Sequence, residues 1–123
     1  MNSDLKHEIM WWMSRLTIML TSLFLSFTLA SSAYATEIQM GYEGNLVFEP
    51  NEVTVNAGDT VTFVNNALPP HNIIVDGRAD LSRESLMFSP GETQEIVFAD
   101  AGDFNFKCAP HEGAGMKGVI LVK

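Results

Sequence analysis

From Thr36 onward, apolar residues recur at every second position in short runs, and turn-forming residues separate the runs. "TEIQM" (36–40) and "NLVF" (45–48) are the first two. "EVTV" (52–55) ends at Asn56-Ala57-Gly58-Asp59, which is turn chemistry. "DTVTFVNN" (59–66) places Val61 and Phe63 on one face. "HNIIV" (71–75) runs into the turn Asp76-Gly77, and "TQEIVF" (93–98) alternates through Ile96 and Phe98. "DFNFKC" (103–108) and "KGVILVK" (117–123) complete the set. Short strands at regular spacing, with no useful run of helical period, predict an all-β antiparallel sandwich or barrel. The segment from Ala79 to Met87 lacks alternation and reads as holding a helical turn. In "DFNFKC", period-two geometry puts Phe104, Phe106 and Cys108 on the inward face and Asn105 and Lys107 outward.

The front of the chain has a different pattern. Leu16 to Ala30, "LTIMLTSLFLSFTLA", is apolar and uncharged, with Lys6 and Arg15 before it and Ala33-Tyr34-Ala35 after it. A basic flank, an apolar run and a small-residue cleavage pattern predict an export signal over residues 1–35 and a domain over 36–123. The apolar run is short for a membrane span. An uncleaved anchor helix is the other reading, and Met13 is an alternative initiator.

Composition narrows the function. The 123 residues carry a formal net charge of −8 at pH 7, which excludes nucleic acid and anionic lipid as natural partners and either steers the protein toward a basic partner surface or only keeps a small exported domain soluble. One cysteine among 123 residues forms no internal disulfide. In an exported domain it is buried and inert, paired between chains, or a ligand or reactive thiol.

That cysteine sits in "CAPHEGAGM" (108–116). Taken singly, Cys108 is a small core hydrophobe, His111 a turn histidine, Met116 core filler and His71 the start of a strand. Together they form a ligand set. Cys-x2-His-x4-Met offers a thiolate, an imidazole and a thioether on one loop. Pro110 stiffens the loop, Gly113 and Gly115 let it fold back, and His71 adds a second imidazole from an earlier strand. Two imidazoles, a thiolate and a weak thioether suit a trigonal blue-copper electron-transfer site. Zinc is the rival ion, though it has little use for methionine. A copper chaperone or storage protein and a cysteine-dependent enzyme are readings from other classes. The inward cysteine and the few methionines beyond Ala35 weigh against them.

The motifs "LPPHN" (68–72), "FSPGE" (88–92) and "CAPHEGAGMKG" (108–118) resemble those of the plastocyanins, small blue copper proteins of the cupredoxin fold, and the likeness runs from about Glu37 to Lys123. It implies a Greek-key β-sandwich, and one copper ion held by His71, Cys108, His111 and Met116. It implies a supporting role for Asn72, which ties the two ligand segments together. It also implies an apolar docking patch of Leu46, Pro70, Pro110, Gly113 and Ala114 around the loop histidine. A monomeric electron shuttle would follow, working in the thylakoid lumen or periplasm and meeting membrane complexes only at their surface. The resemblance implies cytochrome f as its donor and photosystem I as its acceptor, with a cytochrome oxidase as a further acceptor. A pseudoazurin-like donor shares the loop spacing but carries helical sequence after the methionine. Three positions depart from the family pattern: Lys107 where tyrosine is usual, Arg78 within "DGRAD" (76–80), and Glu112 where several bacterial members have arginine.

Overall fold

The computed structural model describes residues 2–24 and 35–123. The chain divides into two compact units, Met1–Ser32 and Ala33–Lys123. The first contains helix α1 (Ser3–Phe24), where the Arg15 guanidinium lies 3.5 Å from the centroid of the Trp11 ring. Among the described residues no helix is long and apolar enough to cross a membrane. The predicted cleavage pattern lies outside the described residues, except for Ala35, as do the side chains of most of the apolar run.

The second unit is a two-sheet sandwich of nine strands: β1 (Thr36–Met40), β2 (Phe48–Glu49), β3 (Glu52–Val55), β4 (Asp59–Asn65), β5 (His71–Val75), β6 (Arg83–Met87), β7 (Thr93–Phe98), β8 (Gly102–Lys107) and β9 (Lys117–Val122). One sheet has the order β2-β1-β4-β7 and the other β3-β9-β8-β5-β6. The sandwich expected from alternation is present. Most pairings are antiparallel, but β1 with β4 and β3 with β9 are parallel. Alternation reports which face is buried and carries no strand direction, so the sequence could not reveal those two pairings.

The inward residues meet between the sheets. Phe48, Phe63 and Phe106 stack edge-to-face with centroids 4.7 to 6.2 Å apart, the arrangement that ring quadrupoles favour. Phe106 and Cys108 are buried, while Phe104 is half-buried against the core. The segment without alternation resolves into two parts. Backbone bonds from Leu81 and Ser82 to the Arg78 carbonyl close a helical turn, and the chain then extends as β6. Three consecutive positions of β6 are exposed because it is an edge strand, and this removes the alternation that marks half-buried strands.

The position of β6 matters for the site. Its last residue, Met87, pairs with His71, the first residue of β5. Behind them sits Asn65, fully buried at the end of β4. Its amide nitrogen donates to the carbonyls of Met87 and Ser89 at 3.4 and 3.1 Å. Backbone bonds between Asn65 and both Gly91 and Glu92 wrap the same segment onto β4.

Candidate metal centre

Two segments separated in sequence converge at one end of the sandwich. His71 opens β5 and is fully buried. Gly41 makes room for it. A Cβ at Gly41 would lie 2.8 Å from His71 Nε2 and 3.3 Å from the Ala67 carbonyl oxygen, and the backbone there has φ +74°, a conformation in which glycine carries no steric penalty. The sequence reading passed over Gly41. The glycine of "MGYEG" (40–44) looked like any turn residue, because its role comes from a histidine thirty positions away.

The second segment begins where β8 ends. Cys108 is fully buried. The loop then turns through a 3-10 segment, Ala109–Ala114, with Pro110 near its start and Gly115 at φ +85° as its left-handed cap. Backbone bonds knit the three loop residues together: Cys108 N–H to Met116 O, Met116 N–H to His111 O, and His111 N–H to Cys108 O, at 3.1 to 3.3 Å. Met116 is fully buried and His111 half-buried. Of the two loop glycines, Gly115 takes the strained turn; Gly113 lies inside the 3-10 segment.

Asn72 joins the two segments. Its Oδ1 accepts the Ala109 amide at 2.9 Å, and its Nδ2 donates to the Glu84 carbonyl at 3.1 Å. The Asn72 side of both bonds is buried, so they are partly shielded from competing water.

The result is a triangle of donor atoms. His71 Nδ1 and His111 Nδ1 are 3.2 Å apart, and Cys108 Sγ lies 3.4 Å from the latter and 3.7 Å from the former. A point equidistant from all three lies about 2 Å from each, a bonding distance for a first-row metal on imidazole nitrogen and close to it for thiolate sulfur. Among the described residues, this is the cluster of His, Cys, Asp or Glu side chains able to hold a metal ion. Burial, followed by repulsion from the neighbouring His111, holds the His71 pKa below the ordinary imidazole value; the Ala67 carbonyl acts the other way. Burial also pushes the Cys108 thiol up, against the backbone amides of Asn72 and His111. Both shifts disfavour charge on these buried side chains. A cation at the centre of the triangle would reverse the preference at the Cys108 thiol, whose proton it replaces, and agree with the preference at His71, since it needs neutral imidazoles.

Around the half-buried His111, Pro110, Gly113 and Ala114 are exposed, and Leu46 and Pro70 are half-buried. Leu46 also packs against the core. The three departures noted in the sequence are all engaged in ion pairs. Lys107 Nζ lies 3.0 Å from Glu112 Oε1 and 3.8 Å from Asp76 Oδ1. Arg78 pairs with Asp80 at 2.8 Å and Asp100 at 3.8 Å.

Residues 35–123 match the family model described as copper binding proteins, plastocyanin/azurin family. The chain is 42% identical to the plastocyanin of Nostoc punctiforme, over 88% of both sequences. It is 43% identical to the chloroplastic plastocyanin of Tetradesmus obliquus, over 79% of this chain and 73% of that one. Among solved structures, oxidised plastocyanin of the fern Dryopteris crassirhizoma superposes with a TM-score of 0.64 at 30% identity, covering 72% of this chain and all of the other. Amicyanin from Paracoccus versutus gives 0.60 at 26% identity, covering 76% and 86%.

Proposed function

This chain belongs to the plastocyanin/azurin family of copper binding proteins, and we propose that His71 and His111 through Nδ1, Cys108 through Sγ and Met116 as a weak fourth donor hold its copper ion. The protein is a one-electron carrier with a single copper centre. The observation that carries the ligand assignment is the donor triangle, with all three atoms at one metal's bonding reach. When bound, copper supplies the Cu(II)/Cu(I) couple.

The residues of this chain do the rest. Thiolate and thioether suit the reduced ion, and imidazole suits the oxidised one. The Asn72 bonds and the bonds within the loop hold the donors where the fold puts them, so little moves when one electron arrives or leaves. Fully buried Cys108, His71 and Met116 keep water out. The partly exposed His111 within its apolar rim offers the short route to a partner's cofactor, and a small apolar patch also releases its partner readily.

The reading extends to partners and place. The shuttle takes its electron from cytochrome f and passes it to photosystem I, with a cytochrome oxidase as a further acceptor. It works as an exported protein in the thylakoid lumen or the periplasm, after removal of residues 1–35. Greater identity to plastocyanins than to amicyanin supports these partners over those of another small cupredoxin.

The test is direct. Cu(II) added to the purified chain should give an intense visible thiolate-to-copper band at one ion per chain; a colourless product would end the reading. Met116→Gln should lower the reduction potential, because a harder axial donor favours Cu(II). An unchanged potential would take Met116 out of the ligand set. Stopped-flow mixing with cytochrome f and with photosystem I at several ionic strengths tests the partners.

A further inference from the structure

The ligand loop is held from inside by backbone bonds, but none of the residues Ala109–Ala114 is buried. Core packing therefore grips the loop only at its ends, Cys108 and Met116. A charge cluster lies across those ends. Lys107, just before Cys108, and Lys117, just after Met116, face each other as cross-strand partners where β8 and β9 enter and leave the loop. Like charges directly opposite on neighbouring strands are destabilising. Glu112 is the only carboxylate between them in sequence, and its Oε1 reaches Lys107 Nζ at 3.0 Å and Lys117 Nζ at 3.9 Å. Asp76 adds a weaker contact to Lys107 at 3.8 Å and none to Lys117. The Lys107 side chain is 28% exposed and that of Glu112 44%, so the closest pair is partly shielded from water.

We propose that Glu112 is a positioning residue for the metal centre: its carboxylate bridges Lys107 and Lys117, cancels their opposition, and fastens the ligand-bearing loop across its base. This rests on the copper reading for its functional meaning. Each of the loop's three donor residues then has one member of the triad as its covalent neighbour: Lys107 next to Cys108, Glu112 next to His111, and Lys117 next to Met116. Loosening the bridge frees all three donors together. Neutralising an exposed carboxylate that touches neither lysine leaves them in place.

The test uses the full chain loaded with copper and follows copper transfer to a Cu(I)-specific chelator. Glu112→Gln keeps the shape and removes the charge. It should release copper about two- to fivefold faster than the parent at low ionic strength, and the difference should close at high ionic strength. The double variant Glu112→Gln with Lys117→Gln removes the exposed ammonium pair and should recover most of the parent's retention. The proposal falls if Glu112→Gln matches the parent at low salt. It also falls if the excess release persists at high salt, or if the double variant is no better than the single. A second readout does not involve copper. The thermal midpoint of the metal-free chain should drop by about 1–4 °C in Glu112→Gln at low salt and return in the double variant. A parent that takes up no copper defeats the copper reading, while these midpoints still decide the bridge.

Discussion

The two imidazoles of the site stand in opposite surroundings. His71 sits at the start of an inner strand and is fully buried, with Gly41 packed closely against its ring and Met87 paired beside it. His111 rides on a short 3-10 segment with no buried residue of its own, half-exposed among Pro110, Gly113 and Ala114. The sandwich thus supplies a stationary half of the site and the loop an accessible half. An electron carrier needs both. The stationary half limits rearrangement between oxidation states, and the accessible half brings a partner close without admitting water. Cys108 belongs to both, because it is buried at the end of β8 and also begins the loop.

The comparison can be broken at its shared member first. Cys108→Ser should abolish the visible band of the copper protein, since the sulfur supplies the transition; a retained band would remove Cys108 from the site. Next is the tie between the halves. Asn72→Ala leaves the Ala109 amide and the Glu84 carbonyl without their side-chain partners; both bonds are part-buried, so each loss costs about 0.5–1.5 kcal/mol. It should lower the denaturant midpoint of the chain and broaden the copper spectrum. An unchanged spectrum would mean that the halves register without Asn72.

Two smaller changes act on one half each. Gly41→Ala forces a left-handed alanine, at about 1–2 kcal/mol, and drives a methyl group toward His71. It should reduce stability and copper retention while leaving the apolar rim unaltered. Ala114→Glu should do the reverse. The spectrum and stability should stay as they are, and the second-order rate with a redox partner should fall by roughly tenfold, equivalent to about 1.4 kcal/mol of lost association. If Gly41→Ala slowed the partner reaction without touching the metal, or Ala114→Glu bleached the protein, the division into a stationary and an accessible half would be wrong.

Much of this was readable before folding. Short apolar runs between turns identified β1, β3, β5, β7 and β9 almost to the residue; β3 and β7 alternate because one face meets the core and one the solvent, whereas β5 is buried along nearly its whole length. Cysteine, histidine and methionine at fixed spacing named candidate loop donors, since few residue types bind a soft metal, and Cys108 and His111 stand together with His71 in the donor triangle. Three things were missed or blurred. The edge strand β6 has too little buried surface to alternate. Asn65 stood at the end of a predicted strand with nothing to mark it, although it is buried and holds the Met87 segment that pairs with His71. The outward lysine at 107 was recognised as unusual, but its cross-strand partner Lys117 and their shared carboxylate were invisible without the register.

Local chemistry therefore settled the kind of fold and the kind of metal: side-chain period selects strands, and donor softness selects copper. Long-range geometry settled everything that depends on residues far apart in sequence: the two parallel pairings, the close approach of His71 to Gly41, the triangle that His71 completes, and the charge bridge across the loop's base. The physical reason is that a side chain's type and spacing travel with the chain, whereas a distance between residues many positions apart exists only once backbone pairing has brought them together.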